Sequence, residues 1–132
     1  MKVEHIGIAV KSLKDADKLF EELLGIAPYK QEKVESESVT TSFFQLGESK
    51  IELLESDKED SAIGKFIARK GEGIHHIAFE VEDIYAEMER LRGLGYRLLN
   101  EEPKKGADNK MICFIHPKDC SGVLVELCQE IK

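Results

Sequence analysis

The chain has 132 residues, 42% of them hydrophobic and 34% charged, with a net charge of −7. That length suits one domain with a core of its own. The acidic balance opposes nucleic acid or an anionic membrane surface as a partner. The longest apolar runs are too short to span a bilayer. A strand-like pattern begins by Val3 and leaves no room for a signal peptide, so a cytoplasmic location is expected. Cys113, Cys120 and Cys128 form no CxxC pair and read as reduced packing residues.

Residues 2–10 alternate and are rich in Ile and Val, which predicts a strand. Ser12 then precedes Leu13, with Asp15 three positions after it, a box-like helix start. Leu13, Ala16, Leu19, Phe20, Leu23 and Leu24 fall on one helical face, and Gly25 can end the helix in a left-handed turn. Strands are expected near 27–34, 39–46 and 50–55. Residues 61–70 read as a short linking helix with Ile63, Phe66 and Ile67 inward, closed by Gly71. The next strand is 74–82. Asp83 can cap a helix with Ile84, Met88, Leu91 and Leu94 on one face, and Gly95 stops it. Strands follow near 96–100, 110–116 and 122–129.

Two stretches of this order resemble each other. "HIGIAVKSLKDADKLFEELLG" (5–25) lies against "HIAFEVEDIYAEMERLRGLG" (76–95), so that His5 matches His76, Ile6 matches Ile77 and Val10 matches Val81. "KIELLE" (50–55) lies against "LVELCQ" (124–129), matching Glu52 to Glu126. The chain therefore reads as one domain, 1–132, built from two copies of one unit, about 2–56 and about 74–130, joined by a linker helix at about 61–71. The order β-α-β-β-β, twice over, predicts an α+β fold: a curled mixed sheet with helices on the outer face.

Strand alternation then sorts the polar residues. In 3–10, Glu4, Ile6, Ile8 and Val10 take one face; Val3, His5, Gly7 and Ala9 take the other. The bulky face should meet the helices, so His5 points away beside small residues. In 74–82, His76 shares its face with Ala78 and Glu80, while His75 sits with Ile77, Phe79 and Val81. His76 is thus the counterpart of His5, and His75 is a satisfied partner beside the packing face. Glu52 opposes Ile51 and Leu53, and Glu126 opposes Val123, Val125 and Leu127. A carboxylate amid apolar strand residues costs several kcal/mol to bury unless it is paired or bound to metal. Two imidazoles and two carboxylates suit a divalent first-row ion. His5, Glu52, His76 and Glu126 are the expected metal ligands.

"GEGIHHIAFEVEDI" (71–84), "EEPKKGA" (101–107) and "HPKDCSGVLVEL" (116–127) resemble the vicinal-oxygen-chelate superfamily, and within it the methylmalonyl-CoA epimerases. The likeness runs from "VEHIGIAV" to "VELCQ", nearly the whole chain. The family's metal positions fall on His5, Glu52, His76 and Glu126. The resemblance implies a divalent ion, foremost Co2+, with Mn2+, Ni2+, Zn2+ or Mg2+ as alternatives. It implies interconversion of the (R) and (S) forms of methylmalonyl-CoA by C2 proton abstraction through a metal-stabilised enolate. Some epimerases carry a Glu at the position that falls at or near Thr41, and Gln where this chain has Glu52. Glu52 is therefore expected to supply the missing carboxylate, with Glu52 and Glu126 as acid–base pair on opposite sides of the substrate.

Coenzyme A carries phosphates, and Lys104, Lys105, Lys110 and Lys118 lie on expected loops or strand ends. Lys110 and Lys118 are the candidate substrate contacts; the alternative for each is a solvated loop charge. A homodimer is expected by analogy with the fold. Three rivals remain. Glyoxalase I uses the same kind of ligand set on a glutathione hemithioacetal. A non-enzymatic binding member of the fold needs no four-ligand site. An extradiol dioxygenase needs two His and one Glu, leaving Glu52 surplus.

Overall fold

The computed structural model describes residues 1–132. The Ser12 hydroxyl accepts the Asp15 N–H at 3.2 Å, so the chain turns from β1 (Lys2–Val10) into α1 (Leu13–Leu24) at the expected box. Gly25, at φ 72°, closes the helix in the left-handed region that favours a residue without Cβ. There follow β2 (Lys30–Val34), β3 (Val39–Leu46), β4 (Ser49–Ser56), α2 (Ala62–Lys70) and β5 (Gly73–Glu80). Then come α3 (Ile84–Gly93), β6 (Lys104–Lys105), β7 (Lys110–Ile115) and β8 (Val125–Glu130). The class is α+β, with mixed strands ordered β2-β3-β4-β1 in the first half of the chain and β5-β8-β7-β6 in the second. No helix is long and apolar enough to cross a membrane.

The chain divides into two compact units, His5–His75 and Met1–Glu4 with His76–Lys132. In the first, β4 pairs antiparallel with β3 and parallel with β1. Ile8, Val10, Ile51, Leu53 and Phe44 pack against Leu13, Ala16, Phe20 and Leu24 of α1. These helical residues are spaced three or four apart and form one stripe. Leu19 and Leu23, expected on the same face, are instead 55% and 68% exposed; they flank the stripe. Ile63, Phe66 and Ile67 of α2 pack against Ala9, Val39 and Leu54. On β1 and β4 these alternate with the residues that meet α1.

In the second unit β8 pairs antiparallel with β7 and parallel with β5. Ile84, Met88 and Leu91 of α3 form a core with Val81, Cys113, Ile115 and Leu127. Leu94, expected on that face, closes the helix and is 65% exposed. The strand expected at 96–100 does not form; Leu98 makes only an isolated bridge to Ile115. The Leu99 N–H reaches the Phe114 carbonyl at 2.8 Å, but the Phe114 N–H is taken by the Asn100 side chain at 2.9 Å. A side-chain oxygen thus replaces the backbone acceptor that would continue a ladder. The short edge strand β6 pairs with β7 instead.

Both units tie a helix start to a strand end. The Leu13 N–H donates to Glu55 Oε1 at 2.6 Å, and the Ile84 N–H donates to Gln129 Oε1 at 2.8 Å. Glu55 and Gln129 are the final residues of the aligned "KIELLE" and "LVELCQ" segments. Replacing Glu55 by Leu strands a part-buried donor, a loss of about 1–3 kcal/mol. Urea unfolding followed by circular dichroism should show that loss for Glu55→Leu and most of the stability kept by Glu55→Gln. Equal stability of Glu55→Leu and wild type would mean that this acceptor holds nothing.

Candidate functional site

The parallel register of β1 on β4 sets Gly7 opposite Glu52 and Ala9 opposite Leu54. The antiparallel register of β3 sets Phe43 on the other side of Glu52. Cross-strand partners share a sheet face, so Gly7, Glu52 and Phe43 form one row. His5, two residues before Gly7, projects from the same face. Its Nε2 lies 3.2 Å from Glu52 Oε1, and both side chains are nearly sealed, at 7% and 6% exposure.

The other unit repeats the row with different atoms. Ala78 lies opposite Glu126 on β8, and Phe114 of β7 flanks Glu126 on its far side. His76, two residues before Ala78, places Nε2 3.5 Å from Glu126 Oε1, again with both side chains buried. The Phe114 ring stands edge-on to the His76 ring, centroids 6.1 Å apart and planes at 90°. His75, the neighbouring histidine, packs edge-on against Phe66 of α2 at 5.0 Å, as expected of a packing partner.

Each unit thus holds a buried imidazole against a buried carboxylate. Such a pair offers nitrogen and oxygen donors of the kind divalent first-row ions take, and an ion would offset the cost of sealing a carboxylate from water. The thiols offer no soft alternative. Burial pushes Cys113 up to about 11, and burial first, with Glu126 second, raises Cys128 further. All three cysteines are free.

Thr41 is buried on the same sheet face as Glu52, one step along β3 from Phe43. Its hydroxyl donates to the Glu32 carbonyl at 3.4 Å. No carboxylate stands at that position. Lys110 opens β7 and is buried, sharing a face with Ile112 and Phe114 by alternation. Lys104 and Lys105 are exposed on β6. Lys118 is exposed in a 3-10 turn, Pro117–Asp119. That turn is fixed from several sides. His116 Nδ1 accepts the Lys118 N–H at 3.1 Å. Asp119 accepts the Arg97 backbone N–H at 2.8 Å and two guanidinium N–H groups at 2.9 and 3.1 Å. This staple escaped the sequence reading, because twenty-two residues separate its ends.

A family model described as the glyoxalase/bleomycin resistance protein/dioxygenase superfamily matches residues 4–114. The uncharacterized protein YqjC of Bacillus subtilis is 43% identical over 128 residues, covering 97% of this chain and 91% of that protein. An ethylmalonyl-CoA/methylmalonyl-CoA epimerase of Cereibacter sphaeroides is 42% identical, covering 97% of each chain. Among solved structures, a variant of Streptomyces coelicolor methylmalonyl-CoA epimerase in complex with 2-nitronate-propionyl-CoA superposes with a TM-score of 0.95. It is 38% identical, covering 98% of this chain and 94% of that one.

The hydrogen bonds from Arg97 hold the Asp119 carboxyl down at about 2. A depressed carboxylate contributes stability above its unfolded value, about 3.9, and loses it as pH falls through the folded value. The stability gap between wild type and Asp119→Asn should therefore be constant from pH 7 to about 5 and shrink as pH falls from there toward 2. Urea titrations at stepped pH measure it; a gap independent of pH down to 2 would remove the charge from the explanation.

Proposed function

The chain belongs to the glyoxalase/bleomycin resistance protein/dioxygenase superfamily, and from that premise we propose that it is an isomerase that epimerises methylmalonyl-CoA at C2 with a divalent cation. The observation that carries the reading is the donor set. His5, Glu52, His76 and Glu126 are all buried, and in the first unit His5 Nε2 lies 3.2 Å from Glu52 Oε1. Glu126 Oε1 is 3.5 Å from His76 Nε2 and completes the proposed set. Relatives named for this reaction, at about 40% identity over nearly the full chain, support the same substrate.

A bound cation supplies Lewis-acid stabilisation for the negative charge that develops on the thioester oxygen when C2 is deprotonated. The remaining work belongs to the chain's own side chains. His5 and His76 hold their positions through β1 and β5 and offer ring nitrogens. Glu52 and Glu126 occupy equivalent places in two equivalent rows. One takes the C2 proton and the other returns a proton to the opposite face of the planar carbon; for the other epimer the roles reverse. Gly7 and Ala78 leave space beside each carboxylate, and Phe43 and Phe114 limit water on the far side. The Thr41 hydroxyl cannot serve as base at neutral pH, which leaves Glu52 as the carboxylate of its unit. Lys110 and Lys118 are the proposed cationic contacts for the acyl-CoA. Cobalt as the native ion, a cytoplasmic location and a homodimer belong to the same proposal and rest on the family resemblance.

The test is proton–deuterium exchange at C2 of methylmalonyl-CoA in D₂O, with and without chelator. Exchange should require a stoichiometric cation that survives dialysis. Positioned proton transfer contributes ~10²–10⁴-fold, so Glu126→Gln and Glu52→Gln should each lower turnover on that scale. Full turnover in Glu126→Gln with the cation retained would overturn its role. Turnover of the glutathione hemithioacetal in place of methylmalonyl-CoA would overturn the substrate.

A further inference from the structure

The two carboxylate rows are matched in register but not in what they expose. Glu52 is flanked by Gly7 and Phe43, and Phe43 is 1% exposed, covered by Tyr29 with ring centroids 5.9 Å apart. Leu54, the next residue on that face of β4, is also buried. Glu126 is flanked by Ala78, fully buried, and by Phe114, which keeps part of its surface open. Cys128, next along β8 on the same face, is sealed. Of the residues that flank the two carboxylates across the sheet, Phe114 is therefore the one large apolar side chain that is not sealed. Its orientation is held: it packs against the Ala78, Ile112 and Cys128 cluster and stands edge-on to His76.

A carbon acid deprotonated beside Glu126 brings its substituents within reach of that ring. On the reading above, C2 carries a thioester and a carboxylate, both polar, one proton, and one alkyl group. Only the alkyl group gains from an aromatic wall. We propose that Phe114 is a specificity-determining residue: its ring is the wall against which the alkyl substituent at C2 of the malonyl thioester rests, and it sets the length accepted. This inference rests on the epimerase reading.

One methylene in an apolar pocket is worth about 10–200-fold in kcat/KM. Wild type should therefore favour methylmalonyl-CoA over propylmalonyl-CoA by more than about tenfold in C2 exchange. With Phe114→Ala, loaded with cobalt, the preference should shrink by about tenfold or more, with ethylmalonyl-CoA intermediate. Phe114→Leu keeps an apolar side chain in the cluster and should move the ratio the same way by less, which covers failure of the alanine variant to fold. Phe43→Leu is the control for the sealed row; its activity can fall, but its methyl-to-propyl ratio should stay at the wild-type value. An unchanged ratio in both Phe114 variants that still exchange methylmalonyl-CoA would overturn this inference and leave the epimerase reading standing. So would a Phe43→Leu ratio shifted as far as that of Phe114→Leu. A wild-type chain that exchanges none of these thioesters would overturn the reading and the inference together.

Discussion

A glutamate in the middle of an apolar strand, sealed to a few per cent exposure, constrains everything around it. Its carboxylate needs a partner at a fixed distance, because leaving it unpaired costs several kcal/mol. Glu52 and Glu126 each meet an imidazole within 3.5 Å. Those contacts hold only while β1 keeps its register on β4, and β5 its register on β8. A slip of one residue would turn every side chain of the strand to the other face. Glu52 would then enter the apolar layer under α1, and Glu126 the layer under α3. The pairs and the register therefore enforce each other.

The same strands are also gripped from the opposite face. Glu55 stands three residues beyond Glu52, and Gln129 three beyond Glu126. An odd offset puts the two side chains on opposite faces of the strand. One points into the site, and the other crosses to accept the first N–H of a helix. Helix position and site geometry are thus carried by a single short segment in each unit. The helices matter to the chemistry for this reason, although no helical residue belongs to the proposed centre. A shift of α1 would be felt at Glu55 and, through β4, at Glu52.

Much of this was legible in the sequence because it depends on period-two alternation and local helix signals. The His5 and His76 faces, the Ser12 and Asp83 caps and the strands 2–10 and 39–46 follow from patterns a few residues long. What the sequence hid is set by tertiary contact. Leu19 and Leu23 continue the apolar arc of α1, and nothing local says that only Leu13, Ala16, Phe20 and Leu24 are covered. The segment 96–100 has strand composition, yet Asn100 spends its side chain on the Phe114 N–H and the ladder stops. Lys110 opens an expected strand and reads as a candidate substrate contact, with a solvated charge as its alternative; only the structure shows that it is enclosed. The phenylalanine beside each carboxylate was equally out of reach, since Phe43 and Phe114 come from strands whose register is fixed by pairing rather than by spacing in the chain.

The matched rows fit the proposed chemistry in a way a single row could not. Exchange of a proton between the two faces of one carbon calls for one group to take the proton and another to return one. Two copies of one strand arrangement give each unit one such carboxylate, Glu52 between Gly7 and Phe43 and Glu126 between Ala78 and Phe114. The substrate itself has no such symmetry. Its thioester, its carboxylate and its alkyl group differ in chemistry and each calls for a different contact. The departures between the rows answer that need: glycine against alanine beside the carboxylates, a covered Phe43 against an open Phe114. In the proposed reaction the likeness of the acids and the difference of the walls serve separate needs, one for moving the proton and one for holding the substituents.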